Sequence, residues 1–166
     1  MISVKYCKMM AHYNEWQNTG LRKMVVEMPE AELTTDRGAF FGSILGTLNH
    51  LLWGDQIWMS RFAGLAAPGL SMRQSPTLTP NVHEWSRQRF LTDGAIREWA
   101  DHLTEVDLVG SLTWYSGAAG AEVTRPLGPL IVHMFNHQTH HRGQVHAMLT
   151  AAGQVPGDTD LFLMPT

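Results

Sequence analysis

The sequence predicts an all-α fold, a four-helix bundle with a long crossover between helices 2 and 3 and a small β-hairpin before helix 4. Three observations support this prediction. Four long segments carry apolar residues at helical spacing. Residues 64–81, with three prolines and two glycines, form a long surface connection between the second and third segments, as a crossover in such a bundle requires. The turn-prone residues 116–121 lie between two short β-like runs before the last segment.

The first two helices are predicted over residues 4–28 and 39–63. Pro29 ends the first, because proline lacks the amide hydrogen that a continuing helix needs. The second is apolar on almost all sides, which predicts heavy burial. Its uncharged stretch, residues 38–54, contains serine, threonine, asparagine and histidine, so we interpret it as a buried helix and expect no membrane span.

The last two helices are predicted over residues 82–103 and 127–152. The apolar residues of the third recur less regularly than those of the others. Pro126 and Pro129 bracket the start of the fourth, and Gly153 follows its end. Proline at the start and glycine past the end are typical of helix termini, so these boundaries are well marked.

Composition narrows the class of protein. A chain of 166 residues has the length of one domain, so we expect a single domain over residues 1–166. The 12 Lys and Arg against 15 Asp and Glu give a formal net charge of -3 without a basic cluster, so we expect no nucleic-acid partner. Lys5, Lys8 and His12 interrupt the apolar N-terminal residues, which predicts no signal peptide and a cytoplasmic protein. Cys7 is the only cysteine, so a metal site would use imidazole and oxygen ligands.

Four of the nine histidines lie in one short stretch of the predicted fourth helix: His133, His137, His140 and His141. His137 and His141 are four residues apart, which places both imidazoles on one helical face, as in H-E-x-x-H zinc helices. That face overlaps the apolar stripe, whereas His133 and His140 lie farther round. A core-facing imidazole without a partner costs about 1–3 kcal/mol. A shared metal ion would satisfy both, and hydrogen bonds to neighbouring helices are the alternative.

A third ligand would have to come from another helix. The candidates are His12 in the first helix, His50 in the second, and His83 and His102 in the third. The helical wheel does not choose among them, because His50 lies off the main stripe of a helix that is apolar almost all round. Spacing alone leaves the third ligand open.

Three further polar residues bear on such a site. Gln144 lies one turn from His140 and close to the ligand face, so it is a candidate helper that contacts substrate or metal-bound water. Arg142 points to the opposite side of the fourth helix, and we expect a solvated or interface charge. Asp55 projects toward the apolar stripe of the second helix, where a carboxylate needs a partner. Its candidate partners are Asn14, Asn18 and Arg61.

Three segments of the chain are distinctive in combination. They are YNEWQN at residues 13–18, GAFFGSILGTLNHLLWGDQIWMSRFAG at residues 38–64 and HMFNHQTHHRGQV at residues 133–145. Together they closely resemble the DinB family, within the wider DinB and YfiT-like superfamily of metal-binding four-helix bundles. The resemblance implies a metal site with one histidine from the second helix and two from the fourth, which fall on His50, His137 and His141. It also implies zinc or nickel as the divalent transition metal, and a homodimer.

Several functions are consistent with such a site. Three imidazoles leave a divalent ion its full charge and at least one open coordination position, as in catalytic zinc sites. Some superfamily members use low-molecular-weight thiols such as mycothiol or bacillithiol, so the resemblance favours a metal-dependent thiol S-transferase over a small-substrate hydrolase. The alternative is a non-enzymatic metal-binding or stress-response module with a structural ion, because the fourth helix has no glutamate to act as a base. The expected partner is a small-molecule substrate or thiol.

Overall fold

The computed structural model describes residues 2–117 and 119–165. Its elements, in chain order, are helices α1 (Val4–Val25), α2 (Glu30–Thr34), α3 (Ile44–Phe62) and α4 (Val82–His102), strands β1 (Ser111–Ser116) and β2 (Ala121–Pro126), and helix α5 (Leu127–Ala151). Short 3-10 helices lie at Met72–Thr77, Glu105–Leu108 and Leu161–Leu163. The strands form an antiparallel hairpin that pairs Ser111 with Pro126 and Ser116 with Ala121. The predicted helical fold with a small hairpin before the last helix is therefore confirmed.

The long helices pack in pairs around apolar side chains. Helix α1 packs along α4, α3 packs against both α4 and α5, and α1 also touches α5. Two apolar clusters fill the interior, and their fully buried members include Ile44, Leu48, Trp85 and Leu149 in one and Cys7, Ile96, Ile131 and Phe135 in the other. Burial of these side chains provides the main favourable free energy of folding. It also holds α3 against α5, the two helices that carry the histidines of interest.

Helix α3 begins at Ile44, later than the predicted residue 39. Gly42 has a φ of 76°, a left-handed conformation that favours glycine and that a helix cannot pass through. Ser43 then caps the helix, because its Oγ accepts a hydrogen bond from the Gly46 amide at 3.0 Å. Residues 44–52 are all buried, as the all-round apolar pattern predicts. Within the described ranges, no helix has both the length and the apolar character that a membrane crossing requires.

The crossover between α3 and α4 packs closely against α3, whereas the sequence predicts a connection along the surface. Its 3-10 helix, Met72–Thr77, lies along α3. The Asn49 side chain of α3 fastens it: Nδ2 donates to the Pro76 carbonyl at 2.9 Å, and Oδ1 accepts from Thr79 Oγ1 at 2.7 Å. Trp53 Nε1 donates to the Leu70 carbonyl at 2.7 Å. These bonds place the crossover beside the histidine-bearing part of α3.

Candidate metal centre

Three imidazoles meet between α3 and α5. His50 comes from α3, and His137 and His141 come from α5. One ring nitrogen of each lies within 4.8 Å of the other two, and His50 Nε2 is 3.1 Å from His137 Nε2. We call these three residues the histidine cluster; they are the ones that the family resemblance implies. The histidines considered as alternative third ligands lie outside it: His12, His83 and His102.

Ser75 of the crossover orients His50. Ser75 Oγ donates its single hydrogen to the Met72 carbonyl at 2.6 Å, so it must accept a hydrogen bond from His50 Nδ1, 2.8 Å away. His50 therefore carries its hydrogen on Nδ1, and the lone pair of Nε2 faces the cluster. The rings of Phe41 and Trp53 lie nearly parallel to the His50 imidazole, with centroids 3.7 and 5.9 Å away. These stacked rings fix the plane of the imidazole.

Gln144 orients His141 in the same way. Its Oε1 lies 2.7 Å from His141 Nδ1, and an amide oxygen only accepts, so Nδ1 carries the hydrogen. The lone pair of His141 Nε2 is then free to face the cluster. Histidine ligands of metal sites commonly have their outer nitrogen occupied in this manner. Contact of Gln144 with a substrate stays a prediction, whereas its contact with His141 is a feature of the structure.

His137 fits into the cluster because Gly54 of α3 has no side chain. A Cβ at position 54 would lie 2.7 Å from His137 Cε1, closer than carbon atoms approach. His137 Nδ1 is buried and has no hydrogen-bond partner among the described residues. Neither Ser75 nor Gly54 was singled out from the sequence. The only signal for Gly54 is its position one helical turn after His50.

The three imidazoles are neutral near pH 7. Burial is the main cause: it lowers the pKa of His50 to about 4, lowers the pKa of His137 to about 3, and also lowers the pKa of His141. Neutral imidazole is the form that binds metals, and nitrogen donors suit divalent zinc and nickel. The residues present therefore fit a divalent transition metal ion.

Comparison with known proteins identifies the family of the chain and a similar fold. A family model described as the DinB family matches residues 1–166. The chain belongs to the DinB family. It is 24% identical over 157 residues to Protein DinB of Bacillus subtilis (strain 168), which covers 93% of this chain and 91% of that protein. Its fold is similar to the crystal structure of a DinB-like protein from Bacillus cereus ATCC 10987, with a TM-score of 0.63 and 17% identity over 86% of this chain and 90% of that one.

A second group of polar side chains is buried in this DinB-family protein. Asp55 of α3 accepts hydrogen bonds from Arg89 Nη1 at 2.5 Å and from Gln138 Nε2 at 2.9 Å. Arg89 Nη2 also lies 2.8 Å from Asp93 Oδ1. Arg89 is 1% exposed and Asp55 is 0% exposed, so these charges are satisfied by each other and not by water.

The partners predicted for Asp55 are wrong. Asn14 and Asn18 of α1 donate instead to Asp93, at 3.1 and 2.9 Å. Arg61 makes no ion pair within the part of the chain that the structure describes. Asp55 finds its partners on α4 and α5 because α3 packs against those two helices.

The expectation that Arg142 is solvated or at an interface is wrong as well. Arg142 is 6% exposed, donates to Asn14 Oδ1, and places its guanidinium 5.5 Å from the Tyr13 ring centroid. Burial lowers its pKa to about 10, so it stays charged near neutral pH. The prediction failed because it assumed a single buried stripe on α5. In the structure α5 contacts α1 as well as α3 and is buried on more than one side. We call the following residues the interior network: Asn14, Asn18, Asp55, Arg89, Asp93, Gln138 and Arg142.

Proposed function

We propose that this DinB-family protein binds a divalent transition metal ion, zinc or nickel, through His50, His137 and His141 and transfers a low-molecular-weight thiol to an electrophilic small molecule. The observation that carries the proposal is the convergence of three neutral imidazoles, two of which have their outer nitrogen occupied. Three such donors leave a tetrahedral ion one open position. The resemblance to superfamily members that use low-molecular-weight thiols supports the choice of reaction.

The protein's own residues prepare the site. Ser75 and Gln144 hold His50 and His141 in the tautomers that present Nε2, so little reorganisation is needed to bind an ion. A divalent ion held there would lower the pKa of a thiol at its open position and so supply a nucleophilic sulfur. The exposed His140 has its ring centroid 4.8 Å from that of His141, so its imidazole is placed to carry the thiol proton to solvent.

Transfer is favoured over hydrolysis because no carboxylate is available beside the cluster. Hydrolytic zinc helices of the H-E-x-x-H type use a glutamate as general base. Within the described residues, no Asp or Glu joins the histidine cluster. Asp55, the carboxylate next to Gly54, is already bound to Arg89 and Gln138. A thiol loses its proton far more readily than water and does not need such a base.

The proposal treats the four long helices as one four-helix bundle and residues 1–166 as one domain. The packing of α3 against α4 and α5, and of α1 along α4, supports this view. A homodimer and a cytoplasmic location stay predictions. Light scattering on the purified protein measures the first.

Thiol transfer is tested directly with metal-loaded protein. Metal-free protein is reconstituted with zinc or nickel and mixed with cysteine, bacillithiol or mycothiol and the electrophile monochlorobimane. We expect thiol conjugation faster than the uncatalysed reaction, abolished by His141→Ala and retained in His146→Ala, which removes a histidine of α5 outside the cluster. A fully loaded protein that accelerates conjugation with none of these thiols would reject the transfer reaction while leaving metal binding intact.

A structural ion is the second candidate function. It is favoured by the origin of the ligands, because an ion bound by His50, His137 and His141 would fasten α3 to α5, and Ser75 would extend the link to the crossover. Chelation separates the two candidates. A structural ion predicts that removing the metal lowers the melting temperature sharply and that no thiol reacts, whereas a catalytic ion can be removed with little loss of stability.

A further inference from the structure

Arg61, in the last turn of α3, has a guanidinium group that no carboxylate and no hydrogen-bond acceptor of the described residues engages. Within the described residues it makes no ion pair and no side-chain hydrogen bond, and its nitrogens are not among the buried ones. Other arginines of the chain do pair with carboxylates: Arg37, Arg87, Arg89 and Arg97. The donors of Arg61 are therefore open to a ligand from solvent.

Two tryptophans hold this guanidinium in place. Its central carbon lies 4.7 Å from the ring centroid of Trp58 and 5.3 Å from that of Trp114. Trp58 belongs to α3 and Trp114 to β1, so two separate elements fix the charge. Cation–π contacts engage the face of the guanidinium and leave the N–H groups in its plane free. Partial burial also lowers the pKa of Arg61, which indicates that solvent alone does not fully satisfy the charge.

Arg61 lies on the same face of α3 as His50. Eleven residues separate them, which corresponds to about three helical turns and about 16 Å along the axis. A row of rings connects the two positions. The Trp58 ring centroid is 5.4 Å from that of His133, and the His133 centroid is 5.9 Å from that of His137 in the histidine cluster.

We propose that Arg61 binds the carboxylate of an extended small-molecule substrate whose thiol occupies the histidine cluster. The inference deepens the thiol-transfer function and rests on it. The rings of Trp58 and His133 then line the path between the two ends of the substrate. A guanidinium binds a carboxylate through two parallel N–H···O bonds, which gives direction as well as affinity.

Arg61 also borders a cavity that suits an anion less well than the row of rings does. This cavity, of about 640 Å³, lies between the ends of α3 and α4 and the hairpin. Glu98 and Asp107 line the same cavity, so an anion there would meet two carboxylates. The row of rings between Arg61 and the histidine cluster consists of Trp58 and His133, neither of which carries a negative charge.

A series of thiols of graded length tests the proposal. Cobalt-loaded protein is titrated with ω-mercaptoalkanoates of three, six and eleven carbons and with the matched ω-mercaptoalkanols, and binding is followed by the thiolate-to-cobalt absorption band. We expect the eleven-carbon carboxylate to bind about tenfold more tightly than its alcohol, because a hydrogen bond to a charged group contributes about that much. We expect the three-carbon pair to bind equally, since its carboxylate does not reach Arg61.

Variants of Arg61 give the matched control. Arg61→Met keeps an aliphatic chain against the tryptophans and should abolish the carboxylate preference, and Arg61→Lys should retain part of it. Arg87→Met, which removes an exposed arginine of α4, should leave the preference unchanged. Equal affinities of the eleven-carbon acid and alcohol for the wild-type protein would overturn the proposal, as would a preference that survives in Arg61→Met.

A measurement on metal-free protein separates this inference from the thiol-transfer function. The Arg61 Nε–H signal is assigned by NMR with the Arg61→Lys variant and is titrated with hexanoate or hexan-1-ol. We expect a saturable shift with hexanoate alone. If no thiol binds the cobalt-loaded protein but hexanoate shifts this signal, the transfer function fails and the carboxylate site stands. If hexanoate leaves the signal unmoved, the carboxylate site is wrong whatever the thiols do.

Discussion

The histidine cluster and the interior network are neighbours on α5, where His137 and His141 each precede a member of the network in sequence. In the network, opposite charges meet, because Arg89 contacts both Asp55 and Asp93. In the cluster, nitrogen lone pairs meet, and His137 Nδ1 lacks a partner among the described residues. Both groups are largely buried, but the network pairs side chains of opposite charge within the protein, whereas the cluster gathers nitrogen donors of the kind that bind a metal cation. Burial of polar groups therefore does not by itself distinguish a functional site from a structural one; the chemistry of the groups that face each other does.

The largest effect is expected from breaking the network. Asp55→Ala removes a carboxylate that Arg89 and Gln138 contact, and it leaves a buried guanidinium short of one negative charge. We expect the free energy of unfolding to fall by about 3–5 kcal/mol. Urea denaturation of metal-free protein measures it. Asp101→Ala is the control, because its exposed ion pair with Lys8 should contribute less than about 1 kcal/mol; equal losses in both variants would contradict the description of the network as paired charge.

Breaking the cluster should affect metal binding and not folding. His141→Ala removes one of three ligands and should weaken zinc binding at least about a hundredfold, or about 3 kcal/mol, whereas His140→Ala should leave the affinity unchanged. Competition with a chromophoric chelator measures both affinities. If His140→Ala lost the ion while His141→Ala kept it, the assignment of faces on α5 would be wrong.

A smaller effect is expected from filling the space beside His137. Gly54→Ala would place a Cβ 2.7 Å from His137 Cε1 and force the imidazole away from the cluster. We expect zinc affinity to fall about tenfold, or about 1.4 kcal/mol. Gly94→Ala in α4 is the matched control, because nothing lies within 4 Å of its Cβ and alanine should stabilise the helix by about 1 kcal/mol. Unchanged zinc affinity in Gly54→Ala would show that His137 does not need this space.

The smallest effect concerns pH. Burial lowers the pKa values of His50 and His137 to about 4 and about 3, whereas an ordinary histidine titrates near 6.5. Between pH 7 and pH 6 the unfolded chain therefore takes up protons that the folded protein does not, and metal-free protein should lose about 1 kcal/mol of stability. Burial raises the pKa of Asp93 to about 6, which acts in the opposite direction.

The pH effect is isolated by comparing thermal melts of the wild type and His137→Ala across this range. The variant should lose less stability as the pH falls, because it lacks one of the two histidines. A variant that loses as much as the wild type would contradict a neutral, buried His137.

Local features of the site could be predicted from the sequence, and long-range ones could not. The spacing of His137 and His141 determines a shared face wherever the segment is helical, so two members of the cluster follow from the chain alone. Choosing His50 as the third ligand required the family resemblance, because a helical wheel describes one helix and does not show how two helices face each other. Ser75 was missed for a similar reason, since it reaches His50 through the path of the crossover and no periodicity encodes that path.

Errors in the interior network have the same origin. Asp55 is predicted to have partners on α1 or on its own helix, and Arg142 is predicted to be a solvated or interface charge. The prediction for Arg142 assumed one inward face on α5, and the prediction for Asp55 did not identify which helices pack against α3. In the structure α3 faces α4 and α5, and α5 faces α1 and α3, so polar residues off the main stripe are buried too.

The contact between His50 and His137 joins residues 87 positions apart in the chain, and the contact between His50 and Ser75 joins residues 25 apart. Closing a long loop costs more chain entropy than closing a short one, and such contacts form late when folding starts from local helices. Docking of the crossover can thus complete the surroundings of His50 before α5 arrives. The full set of nitrogen donors exists only after α5 has packed against α3, so uptake of an ion reports that this long-range contact has formed.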